Sequence, residues 1–158
     1  MVINWDAAGA IGEIVGATAV VISVLYLASQ VRGQVREAQL AAIHEVSEGF
    51  REGIAATFMD PHLSRIFNTG KDDPENLDAE ERIQFIAFMQ RNYRVWEDAF
   101  YQYQAGRLDE HHWRSMEKQY SALLNWPGVQ WVWSLRRDFF TPDFMRYVDT
   151  VEPHPHPL

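Results

Sequence analysis

The chain has no cysteine. That excludes a disulfide framework, a thiolate metal site and a cysteine nucleophile. Positive charge is scarce: Lys and Arg number 14 against 22 Asp and Glu, giving a net charge of −8. A nucleic-acid surface needs clustered Lys and Arg to meet phosphates, and a polybasic membrane patch needs the same clustering. Neither pattern occurs. Proline is missing from residues 7–60, so nothing there removes a helical hydrogen bond. Strand-type alternation is absent from the whole chain. So are the signatures G-x-S-x-G, the Walker loop, G-x-G-x-x-G and H-E-x-x-H. The sequence therefore marks no catalytic residue, no cofactor site and no metal site.

Apolar residues, by contrast, are plentiful. Of 158 residues, 47% are hydrophobic and 13% aromatic, which is too apolar for a disordered chain and enough for one domain with a real core. The mean hydropathy of −0.30 hides one segment. From Ala7 to Ala28 the chain reads AAGAIGEIVGATAVVISVLYLA, with Glu13 as its single charge. A helix of that length rises ~33 Å, against a hydrocarbon core of ~30 Å. Met1–Asp6 contains no Lys or Arg, unlike the n-region of a cleaved signal peptide. The expectation is an uncleaved anchor over residues 1–31. Arg32 and Arg36 follow the apolar run, so the positive-inside rule puts residues 33–158 in the cytoplasm and the N-terminus outside. Trp5 and Tyr26 fall near the two interfaces.

Helical sequence continues to Met59, where Asp60-Pro61 is the expected break. Leu40, Ile43, Ser47, Phe50, Ile54 and Thr57 form the expected core-facing stripe. Gly33 is the expected bend, at the membrane surface. His62–Thr69 reads as a short helical turn and residues 70–77 as a loop. Asp78-Ala-Glu-Glu81 resembles a capping box before a helix over 79–104. That helix is apolar around most of its circumference, so it is central in the bundle or buried between subunits. Further helices are expected over 110–124, 127–137 and about 141–151. The fold class is all-α: an N-terminal transmembrane helix continuing into a cytoplasmic bundle over 32–151, with a disordered tail over 152–158.

The stretch Trp5 to Arg36, with its GEIVGA core and its YLASQVR exit, resembles the N-terminus of a widespread group of small bacterial proteins. LDAEER, WEDAFYQYQAGRLDE and FFTPDF are similar to that group as well, so the likeness spans nearly the whole chain. Members are single-span, membrane-anchored helical proteins with no assigned activity. The resemblance implies an architecture and carries over no functional residue. Gly33-Gln34 stands where usual members have Asn.

Several residues invite functional readings. An ionised Glu13 in lipid costs at least ~2.5–3.5 kcal/mol, so it faces protein, water or a neighbouring helix. In a ring of anchors it becomes an intramembrane ion or proton site; the plainer reading is an interfacial or packing carboxylate. Gly9, Gly12 and Gly16 form a small-residue surface suited to helix–helix packing, and Glu13 and Gly16 share its side. Glu110-His111-His112 splays two imidazoles ~100° apart, which suits one metal ion poorly; His44 with Glu48, and the tail His154-Pro-His156, are weaker still. Arg91, Arg94, Glu97 and Asp98 read as structural ion pairs or an anion site. The tryptophans read as core packing, with the alternative that residues 126–133 lie on the bilayer surface.

The leading expectation is a membrane protein that self-assembles into a homo-oligomer, as a scaffold or as a cation or proton pore lined by Glu13. Its partners are then lipid and itself, and not nucleic acid. The alternatives are an accessory subunit of a larger membrane complex, and a membrane-tethered sensor or enzyme with a ligand pocket between helical segments three and five.

Overall fold

The computed structural model describes residues 5–155, with side chains throughout that range except at 5–8, 10–12, 56 and 58. The described residues form six α-helices and no strand: α1 (Trp5–Met59), α2 (Pro61–Asp72), α3 (Ala79–Gln104), α4 (Glu110–Leu123), α5 (Pro127–Arg136) and α6 (Pro142–Thr150). Short 3-10 turns occupy Pro74–Asn76 and Arg137–Phe139. The fold class is therefore all-α. The chain divides into two compact units, residues 1–38 and 39–158. This boundary falls seven residues beyond the one expected at 31/32.

The first unit is the N-terminal part of α1. Helix α1 is the only element among the described residues long and apolar enough to cross a membrane. Ile14, Val15, Val20–Ile22, Val24, Leu25 and Leu27 are all exposed. Gly33 does not interrupt the helix, which is continuous from Trp5 to Met59.

The second unit is the bundle, and its joints are legible in local chemistry. Asp60 leaves the helical region (φ −113°, ψ 107°), as a residue before proline prefers to. Its carboxylate then accepts hydrogen bonds from the His62 and Leu63 amides and caps α2. Pro61 occupies the first helical position, where its missing N–H costs nothing. At α3 the capping box is present in both directions, Glu81 N to Asp78 Oδ1 at 2.8 Å and Asp78 N to Glu81 Oε2 at 3.3 Å. Arg65 on α2 pairs with Glu81, and this bond lowers the Glu81 pKa. Asp109 caps α4 through the His111 and His112 amides, and those bonds together with the His112 ring lower its pKa. Gly106 ends the α3 connection at φ +68°, a conformation glycine adopts without steric cost.

Helix α3 is the axis of the bundle. Phe85, Ile86, Met89, Tyr93, Trp96, Ala99 and Phe100 are buried, in a heptad-like pattern that faces α2, α4 and α5. Its burial is achieved inside a single chain. Ile83, however, is 68% exposed, so the outer side of α3 is less covered than its composition suggests. Trp96 is fully buried, stacked on Tyr120 at 5.3 Å and met edge-on by Phe144 and Tyr147. Val129, Val132 and Trp133 of α5 are buried in the same core. Trp126 and Trp131, by contrast, are half-buried.

Three expectations need correction. The α1 stripe is partly displaced: Thr57 is buried and Ile43 and Phe50 pack against the core as expected, but Leu40 is 60% exposed and Ile54 43%, while Ala42, Val46 and Gly53 are buried. Small residues allow the closer approach, and a Cβ at Gly49 would come within 3.1 Å of Val95. Gly70 lies inside α2 rather than in a loop, because α5 crosses there with glycine against glycine. A Cβ on Gly128 would overlap the Gly70 carbonyl oxygen and lie 2.9 Å from its carbonyl carbon. The tail, finally, is tied down as far as Pro155: His154 N donates to Ser121 O, and Asn125 Nδ2 donates to His154 O at 2.6 Å. Residues 156–158 lie outside the described residues.

Candidate functional site

The residues singled out on α1 do not assemble a site within the chain. Glu13 is exposed, and so are Gly9 and Gly16. No atom lies within 4 Å of a Cβ placed on either glycine. Gly12 and the Trp5 side chain lie outside the described residues. The surface at Gly9 and Gly16 remains open to another helix.

The charged set on α3 resolves into separate pairs. Arg91 reaches Glu52 on α1 at 2.6 Å. Arg94 donates to Glu97 at 2.5 Å and to Phe139 O at 2.6 Å, and its guanidinium lies over the Phe140 ring. Glu97 is buried and also accepts from the amide and hydroxyl of Thr141, both at 2.8 Å. Its Oε1 holds Thr141, at the start of α6, to α3, and its Oε2 is engaged by Arg94 within α3. Asp98 has its pKa raised by partial burial and by the Glu97 and Glu45 charges.

The histidines are dispersed. His112 Nδ1 lies 2.6 Å from Asp109 Oδ2, and Glu48, the expected companion of His44, pairs with Arg51. Among the described residues no group of three His, Asp or Glu is placed to hold a metal ion.

Among the described residues, a largely apolar cavity is large enough for a ligand. It encloses about 600 Å³ between the last turns of α1, the inner faces of α2, α3 and α4, and the tied-down tail. Its volume falls within the ~300–1,000 Å³ range of small-molecule sites. Helical periodicity builds each wall. Phe50, Gly53, Ile54 and Thr57 recur on one side of α1; Ser64, Phe67 and Asn68 on one side of α2; Phe88, Met89 and Asn92 on one side of α3. Helix α4 contributes Lys118, Gln119, Ala122 and Leu123, and Trp126, His154 and Pro155 complete the lining. Phe67 meets both Phe88 and Trp126 edge-on, each with centroids 5.8 Å apart. No family model matches this chain, and no curated protein or solved structure matches it.

Polar and apolar lining residues are segregated. Met89, Ala122 and Thr57 are buried, and Phe50, Phe67, Phe88, Leu123 and Trp126 half-buried; Asn68, Lys118, Gln119 and His154 are exposed. The Thr57 hydroxyl is satisfied by Gly53 O at 3.1 Å. Asn92 donates to Phe88 O at 2.8 Å, leaving its Oδ1 toward Gly53. Met89, Asn92 and Leu123 also line a narrow cleft that reaches Tyr120. The Tyr120 hydroxyl is buried without a hydrogen-bond partner among the described residues, and burial raises its pKa. The site offers apolar contact and a few polar handles.

This site was only faintly visible in the sequence, which placed a pocket between helical segments three and five. The cavity instead uses α1, α2, α3 and α4. The signal that could have found it is Gly53, a glycine in an otherwise good helix former that lines the cavity.

Proposed function

We propose that residues 7–28 cross a bilayer once and that residues 39–158 form a membrane-tethered module that binds a small, largely apolar molecule. The cavity of about 600 Å³ carries the binding reading. The span is supported by the uncovered apolar run and by its hydroxyls. Thr18 donates to Ile14 O at 2.7 Å and Ser23 to Ala19 O at 2.8 Å, so neither presents an unsatisfied group to hydrocarbon. Arg32 and Arg36 favour a cytoplasmic body and an outside N-terminus in a bacterial inner membrane. The test is uptake of a neutral environment-sensitive probe, N-phenylnaphthylamine, by the full-length chain in nanodiscs. Saturable emission above that of empty nanodiscs, lost in Ser64→Phe, is the expected result. Equal emission with and without the protein refutes the reading.

The open glycine surface supports a second reading, self-assembly through Gly9, Gly12 and Gly16 into a scaffold or a Glu13-lined cation or proton pore. Native mass in a mild detergent tests it. A discrete homo-oligomer whose conductance changes in Glu13→Gln supports a pore, and an oligomer without conductance a scaffold. A single chain removes both, and co-purification with other chains favours an accessory subunit.

A further inference from the structure

Charge is distributed around the cavity in a way that names its ligand more closely. The chain carries 22 Asp and Glu, yet among the described residues none lines the cavity, whereas Lys118 does. Lys118 is one of two lysines. The other, Lys71, is paired with Asp72 at 2.8 Å; Lys118 has no ion-pair or hydrogen-bond partner for its ammonium among the described residues. The side chains of Ser64, Asn68 and Gln119 likewise make no hydrogen bond there. An ammonium, two amides and a hydroxyl therefore stand unengaged around an apolar interior.

We infer that the cavity takes a single-chain amphiphile with an anionic head, a long-chain carboxylate, with its tail among Phe67, Phe88 and Leu123 and its head at Lys118. The inference rests on the binding-module reading above. An ionised carboxylate is purely an acceptor, so unengaged donors complement it, and a cationic head would meet Lys118 as a like charge. Size fits one chain. At ~30 Å³ for each water-sized group, the 600 Å³ holds roughly twenty of them, enough for one acyl chain and not for the two of a phospholipid.

The experiment uses the full-length chain in zwitterionic nanodiscs and two probes of equal chain length, a fatty acid brominated in mid-chain and its methyl ester. Bromine quenches tryptophan at contact, and Trp126 lines the cavity. The readout is the ratio of acid to ester affinity in wild type against Lys118→Gln, so partitioning into lipid cancels. Lys118 is exposed, and an exposed ion pair is worth ~0.2–1 kcal/mol. The expected drop in that ratio is therefore about 1.4- to fivefold. Ser64→Phe is expected to abolish saturable quenching by both probes while near-UV dichroism shows the fold intact. A ratio unchanged by Lys118→Gln, with both probes still displaced by Ser64→Phe, overturns the carboxylate and leaves the binding module standing. Quenching by neither probe overturns both.

Discussion

Gly128→Ala is the most exacting test of the packing. Helix propensity and loss of unfolded-state freedom both predict that this change stabilises, by up to ~1 kcal/mol. Gly128 has no positive φ to protect. The tertiary structure reverses the sign. The new methyl would overlap the Gly70 carbonyl oxygen and stand 2.9 Å from its carbon, whereas carbon–carbon contacts settle at ~3.5–4.0 Å. Backbone cannot swing aside as a side chain does, so α2 and α5 must separate by roughly 0.5–1 Å. A gap of that size forfeits about a quarter to a half of each contact. Ile66, Leu77, Phe85 and Val129 sit at this crossing, 0–3% exposed. With ~2 kcal/mol for burying each side chain, the loss is about 2–4 kcal/mol. Thermal unfolding followed by near-UV dichroism in nanodiscs, at roughly 3–5 °C per kcal/mol, should show a melting temperature lowered by about 6–20 °C. An unchanged or higher melting temperature would refute the crossing.

Gly106→Ala meets no neighbouring atom but is held at φ +68°; it should cost ~1 kcal/mol, with Gly106→Asn milder, in the same melting assay. Glu97→Ala strands the Thr141 amide and hydroxyl and releases Arg94. About 3 kcal/mol should be lost, less than for a fully buried pair because Arg94 is 45% exposed; Glu97→Gln, which keeps an acceptor for Thr141, should lose less. Alkali should unfold the bundle cooperatively. Tyr93 and Tyr120 have pKa values raised by burial above 10.0, so the unfolded state releases protons first and stability falls as pH climbs through the unfolded phenol pKa. The difference in tyrosinate absorbance between wild type and Tyr120→Phe should rise together with loss of near-UV dichroism, and a difference rising well before that loss would contradict the burial.

Local chemistry made much of the architecture readable. The apolar run, Asp60-Pro61, the Asp78–Glu81 box, Asp109 and Thr141-Pro142 act over one or two turns, where side chain and spacing suffice. They set the all-α class and most helix limits, with α3 read at both ends. The position of the α1 stripe was only partly legible, because its buried face includes Ala42 and Gly53 beside Val46 and Thr57, and hydrophobicity undervalues the two small residues. Nor was the helical state of Gly70, whose reason lies 58 residues away in Gly128. The cavity was hidden on the same ground: its walls come from α1 to α4 and the tail, and an empty volume is a property of how helices are spaced. By itself, then, the sequence determined which segments are helical and which one is apolar enough for a bilayer. Only the tertiary structure decided that α3 finds its burial within one chain and that Glu97 is spent on Thr141. It also left Lys118 unpaired beside an apolar cavity, because those outcomes depend on distances between residues far apart in the chain.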